Sequence, residues 1–239
     1  MSEAPATVGK SVSDYRCLAI VEVPASRVAL YDQLLCEAAS VFERGGWKLA
    51  VASQNADLYD TTGAPPGLVR SLMQVWWIPD FDSLPQVMAY AADDPMYVQA
   101  QQLTVGERQN LYTVLRWDSP LGLPSTPINF YMVETLRMTN SDVARNNFAT
   151  YMDTAVYEMN SKYGWTISFA GNATTGVINE YVNVWGISDA STLETAITEY
   201  RGNASWSEAV TQVSTSMWTP RDLPSFDKGA AASAPANAG

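Results

Sequence analysis

Histidine is absent from all 239 residues of this chain. That removes imidazole general bases, the Ser-His-Asp arrangement, and zinc or haem held through histidine. Proton transfer would fall to Asp, Glu, Tyr, Lys, Cys, water or the substrate. Cysteine is nearly as scarce, with only Cys17 and Cys36. One sits in a predicted strand and the other on a predicted helix. They read as buried free thiols, and nothing demands an oxidising compartment. Positive charge is also short: 14 Lys and Arg face 25 Asp and Glu, for a net charge of −11. Nucleic acid is therefore not an expected partner, because its affinity comes largely from cations on phosphates. An anionic membrane surface is disfavoured for the same reason. No apolar run approaches the ~20 residues that span a bilayer. The opening "MSEAPATVGKSVSDYR" lacks the basic and apolar regions of a signal peptide, so a cytoplasmic location is expected. P-loop, dinucleotide glycine fingerprint, CxxC and metal-ligand cluster are all missing, so neither cofactor nor metal is expected.

What the chain does have is apolar and aromatic. Hydrophobic residues make up 47% and charged residues 16%, enough for a sizeable core. Eight Trp, 12 Tyr and 6 Phe could line an aromatic cavity.

The chain also repeats itself. "QVWWIPDFDSL" at 74–84 returns as "NVWGISDASTL" at 183–193. Val75, Trp76, Ile78, Asp80 and Leu84 reappear as Val184, Trp185, Ile187, Asp189 and Leu193. The spacing is too long for a solenoid and matches a small domain. Val21-Glu22 aligns with Val133-Glu134, and Gly46-Trp47 with Gly164-Trp165. Two repeats are expected, over 15–117 and 128–226, joined by a Pro/Gly linker at 118–127. The ends, 1–14 and 227–239, read as disordered.

In the first repeat, strands are predicted at 16–23, 47–53, 69–78 and 110–117. One helix over 28–44 shows an apolar face of Val28, Tyr31, Leu34, Leu35, Ala38 and Phe42. A second starts near Asp82 or Ser83, and a short third covers 97–103. The second repeat follows the same order: strands at 129–138, 165–171, 177–187 and 216–219, helices at 140–164 and 191–200. Each repeat reads β-α-β-β-α-β, a ferredoxin-like antiparallel sheet with its helices on one face. The fold class is α+β, with the two uncovered sheet faces packed together as a barrel. In "EYVNVW", Val182 and Val184 alternate with Tyr181, Asn183 and Trp185. The valines suit packing on helices, and the Tyr/Asn/Trp face suits a semi-polar barrel cavity. Met73 and Val75 alternate with Gln74 and Trp76 in the same sense.

The strand "YMVETLRM" with its internal glutamate, the helix-ending "YGW" and the strand "INEYVNVWGISDASTLETA" resemble the dimeric α/β-barrel superfamily, within it the NIPSNAP-like group. The resemblance spans about 15–117 and 128–226 and is clearer in the second repeat. Members usually pair two chains face to face; here one chain would supply both halves. The superfamily holds cofactor-independent monooxygenases, polyketide cyclases, lactone isomerases and haem-handling enzymes. It implies a small organic substrate handled without a tightly bound cofactor, since histidine-ligated haem is unavailable.

Glu22 and Glu134 are the acid/base candidates, because a carboxylate desolvated on a cavity-facing strand gains a raised pKa. The bland alternative is a glutamate solvated at a strand end. Gln74 and Asn183 could orient a substrate oxygen, with Trp76 and Trp185 stacking beside it. Equally, the tryptophans are core residues each sheet needs. Tyr112, Tyr131, Tyr181 and Arg116 are weaker binding candidates, and Arg116 suits the rim. Asp80 and Asp189 suit turn or capping roles. The leading expectation is an enzyme for a hydrophobic, oxygen-bearing, aromatic or polyketide-like substrate, working by isomerisation, cyclisation or oxygenation. A carrier for an apolar metabolite is the alternative, and a structural interaction module the third. A homo-oligomer is compatible with each.

Overall fold

The computed structural model describes residues 15–56, 68–118 and 127–227. Most of the predicted linker and, apart from Asp227, both predicted disordered ends lie outside these residues. The first half contains β1 (Tyr15–Pro24), α1 (Val28–Glu37), α2 (Ala39–Arg44), β2 (Lys48–Asn55), β3 (Val69–Ile78), α3 (Ser83–Asp93), α4 (Pro95–Gln102) and β4 (Gly106–Val114). The second contains β5 (Phe130–Met138), α5 (Asp142–Tyr163), β6 (Thr166–Ala173), β7 (Glu180–Ile187), α6 (Leu193–Arg201), α7 (Ala204–Ala209), β8 (Val210–Pro220) and a last turn, α8 (Pro224–Asp227). No described helix is long and apolar enough to cross a membrane.

Local chemistry sets the helix ends. Ser141 Oγ accepts from Ala144 N at 3.3 Å to start α5, and Gly164, at φ 67°, ends it in the left-handed region. The single helix expected over 28–44 is broken at Ala38, where ψ is 3°. Asp80 and Asp189 do serve as turn anchors. Ser83 Oγ donates to Asp80 O and accepts from Trp47 Nε1; Thr192 Oγ1 donates to Asp189 O and accepts from Trp165 Nε1. The two halves thus share one device tying the end of the third strand to the second.

The strands close into one antiparallel barrel in the order β1-β3-β2-β8-β5-β7-β6-β4. Each half supplies four adjacent strands, and the seams are short. Ser53–Asn55 meet Pro220–Trp218 at one, and Tyr112–Val114 meet Ala173–Gly171 at the other. The last residues of the second half cross to the first. Leu223 is buried in the first-half core, and the Phe226 ring lies 5.3 Å from Trp76.

The barrel interior corrects the expected strand faces. It is filled by Leu18, Val51, Met73, Val75, Tyr112, Val133, Phe169, Val182, Val184 and Trp218. The valines thus point inward, while Trp76 and Trp185 pack beneath the helices of their own half. Both faces of each sheet are covered, so alternation separates the faces without saying which is which. The valines of the third strands meet at the narrow barrel centre, where Tyr112, Phe169 and Trp218 fill the remaining space. The anticipated substrate cavity inside the barrel is therefore occupied by core.

Candidate active site

Strand register shows how the two halves correspond. Cys17 and Ala19 lie opposite Trp76 and Gln74, as Met132 and Glu134 lie opposite Trp185 and Asn183. The counterpart of Glu134 is therefore Ala19, not Glu22. Glu22 is three residues further on and lies on the other face, in line with Leu18 and Ile20, at a strand end against Gly106. The expected glutamate pair does not exist. The two-residue match of Val21-Glu22 with Val133-Glu134 is three positions out of register, and an odd step turns a side chain to the opposite face.

In the second half the helix–sheet layer is full. Glu134, wholly buried, accepts from Trp185 Nε1 at 2.9 Å and from Arg201 Nε and Nη2 at 3.2 and 2.5 Å. Asn183 accepts from Trp117 Nε1 at 3.0 Å and donates to Tyr200 OH at 3.3 Å. These residues form a closed polar network with every named group used.

In the first half Ala19 leaves that space open. A narrow crevice runs between sheet and helices, with a free volume of about 20 Å³ for the centre of a water molecule. Tyr31, Phe42, Trp47, Trp76 and Tyr97 supply rings; Gln74, Gln101, Glu107 and Gln109 supply polar groups. Phe42 and Trp76 stack at 4.3 Å and 15°. Gln74 is buried; its Nε2 donates to Tyr31 OH at 3.1 Å, and its Oε1 accepts from Trp76 Nε1 at 3.2 Å. Gln101 Nε2 donates to Tyr97 OH at 2.9 Å. Each phenol thus receives one hydrogen bond while keeping its own proton to donate. Glu107 and Gln109, hydrogen-bonded to each other, are exposed at the mouth beside the half-exposed Met88.

Of the sequence candidates, only Gln74 and Trp76 line this crevice. Asn183, Trp185 and Glu134 belong to the filled half. Tyr181 packs near Trp117 in the same layer, with ring centroids 6.1 Å apart. Tyr112 and Tyr131 face the barrel interior. Arg116 is on the surface, paired with Asp153 at 2.9 Å. Sequence reading missed Glu107 and Gln109 because it began the fourth strand at 110. The alternation Glu107, Gln109, Leu111 was the available signal. Tyr31 was visible only as part of an apolar helix face.

Burial pushes the Cys17 thiol up to about 12, with the Glu107 charge adding to the rise. Tyr97 is pushed up to about 12 by burial and then by Glu107, and Tyr31 is raised chiefly by burial. Elsewhere Tyr112 and Tyr151 are pushed up to about 12, and Tyr200 is raised as well, all primarily by burial. Every one of these acids keeps its proton to higher pH when folded than when unfolded. Their protonation therefore adds no pH dependence below the unfolded values of 9.0 for Cys and 10.0 for Tyr, and stability falls as pH rises from there towards 12. Urea midpoints at pH 7.5 and 8.5 should agree as far as these groups are concerned, with a clear drop by pH 10.5. An unchanged midpoint at pH 10.5 would contradict the burial of these groups.

No protein-family model matches the chain, and no curated protein matches it. Solved structures do match. A proposed monooxygenase from Lactobacillus acidophilus is 8% identical, over 86% of this chain and 92% of that one, with a TM-score of 0.52. A haem-binding protein from Thermus thermophilus is 11% identical, over 91% and 95%, at 0.53. A chlorite dismutase mutant from Candidatus Nitrospira defluvii is 8% identical, over 91% and 96%, at 0.54. These likenesses show the fold, that of the dimeric α/β-barrel proteins, here with both halves in one chain. The residues present do not fit a haem. There is no histidine, Trp185, Tyr200 and Trp206 fill the second-half layer, and about 20 Å³ in the first is far below the roughly 300 Å³ of even a drug-sized pocket.

Proposed function

We propose that the protein is a cofactor-independent small-molecule enzyme working in the first-half crevice. Its substrate is compact, hydrophobic and oxygen-bearing, of phenolic or enolisable type, and the chemistry is proton transfer leading to isomerisation, cyclisation or oxygenation. One observation carries this reading: the layer closed by Glu134 and Arg201 in one half keeps a water-sized gap with polar groups in its lining in the other. A layer with only a packing role would be expected to be filled in both halves. NIPSNAP-like membership, drawn from "YMVETLRM" and "YGW", belongs to the same proposal.

Tyr31, held by Gln74, would donate its phenolic proton to the substrate oxygen. Trp76, held through Nε1 by the same amide, forms the wall. Gln74 acts through both and is a positioning residue. Glu107 is the carboxylate of the crevice lining and the acid/base candidate. The closed crevice has room for about one water, so a substrate enters only when Met88 and Gln101 swing aside and widen it, which a flexible thioether and amide can do. The test is a screen of small phenols and enolisable ketones in air, with products read by mass spectrometry. Once a substrate is found, Tyr31→Phe and Glu107→Gln should each lower kcat by roughly 10²–10⁴-fold. Full activity in both variants would overturn the assignment. The carrier reading draws on one observation, that both ends of the Gln74 amide are already used internally. A native mass spectrum retaining an unmodified ligand that is never turned over would favour it.

A further inference from the structure

The filled half shows what its partner lacks. In the second half a guanidinium is seated between a ring and a carboxylate: Arg201 Cζ lies 5.6 Å from the Trp206 ring centroid, and its nitrogens reach Glu134. The repeat aligns Arg201 with Ala92 and Trp206 with Tyr97. Ala92 is exposed and carries nothing into the layer. The ring is kept, as Tyr97, and a carboxylate is kept on the neighbouring strand, as Glu107. No cation stands in the place of Arg201, and no Lys or Arg among the described residues lines the crevice.

We propose that the first-half crevice binds an organic cation, an ammonium or amidinium on a compact aromatic or aliphatic body, whose charge takes the place of the Arg201 guanidinium. This rests on the crevice being the binding site and names the class of ligand it takes. Glu107 supplies the counter-charge at the mouth, and the Tyr97 ring a π-face of the kind that attracts cations. The rises of Cys17 and Tyr97 both include a contribution from Glu107, as expected of a negative potential inside. An anionic ligand would meet that potential, and the nearby Arg221, whose charge is felt at Tyr31, is already ion-paired with Asp32 at 3.1 Å. The role is compatible with proton transfer, since a carboxylate paired with an ammonium N–H is placed to accept its proton.

The test uses three probes built on one benzyl group, benzylammonium, benzyl alcohol and phenylacetate, titrated into the full chain at low salt and followed by tryptophan fluorescence and calorimetry. The ammonium should bind roughly tenfold more tightly than the alcohol, and phenylacetate more weakly than either. Glu107→Gln should cost the ammonium about tenfold and leave the alcohol unchanged. Ala92→Arg, at an exposed helix position, should block the ammonium by restoring the missing cation; circular dichroism checks that both variants fold. Equal binding of ammonium and alcohol, with Met88→Trp excluding both, would overturn the cation and leave the crevice standing. Ammonium binding undiminished by Glu107→Gln and Ala92→Arg would place it elsewhere on the acidic surface and overturn the proposal. No binding by any probe, with turnover indifferent to Tyr31→Phe, would overturn both readings.

Discussion

Glu134→Ala is expected to destabilise the protein by about 3–5 kcal/mol. The carboxylate is wholly buried and accepts three hydrogen bonds, one from Trp185 and two from Arg201. Its removal strands an indole N–H and a guanidinium that is 24% exposed, and it opens a cavity under α6. Arg201 also donates to Thr215 Oγ1 at 2.8 Å, so it cannot leave for solvent without a further loss. Glu22→Ala is the control. Its side chain is half-buried at a strand end, and a change of about 1 kcal/mol or less is expected. Denaturant titration with linear extrapolation measures both. Similar losses for the two variants would mean that the correspondence of Glu134 with Ala19 is wrong. Replacing Glu134 and Arg201 together by leucines should recover much of the stability, because a buried pair often contributes little net against a well-packed apolar substitute.

Asp118→Ala should have an effect of similar size, about 3–5 kcal/mol, for a different reason. Asp118 follows the last strand of the first half, yet it holds both halves. Its Oδ2 accepts from Arg16 Nη2 of β1 at 3.0 Å, and its Oδ1 from the Ala170 amide of β6 at 2.6 Å. Both side chains are nearly inaccessible, at 2% and 6% exposure, and the Arg16 guanidinium lies 4.6 Å from the Trp77 ring centroid. Without the carboxylate, a buried guanidinium loses a counter-charge and a barrel amide loses its acceptor. The nearby β4–β6 seam has only three registered residue pairs to compensate. Hydrogen exchange should show the Ala170 amide losing protection before the centre of β7 does. A loss below about 1 kcal/mol, with Ala170 still protected, would show that the seam does not depend on this contact.

Much of the fold was legible from the residues, and the site much less so. The repeated "VW" segments, the helix-ending glycines and the turn aspartates are local signals, and the structure uses them locally. Gly164 takes its left-handed φ, and Asp80 and Asp189 anchor matching turns. The strands were found in their right order, but the fourth began at Gly106, four residues earlier than expected, and the last at Val210, six residues earlier. The earlier start of the fourth brought Glu107 and Gln109 into the site. The pairing of Glu22 with Glu134 failed because a short match carries no register, and register assigns a side chain to its face.

The sequence by itself determined the recurrence of its motifs and the α+β barrel class, because hydrophobic period, turn residues and capping act over a few positions. It also excluded histidine chemistry outright. Only the tertiary structure decided which sheet face meets the helices and which half is filled. In a barrel with covered sheets both faces are apolar, and the difference between a closed network and a crevice rests on Glu134 and Arg201 against Ala19 and Ala92. No local pattern marks Glu134 and Ala19 as equivalent; they come into correspondence only through strands that pair across the sheet.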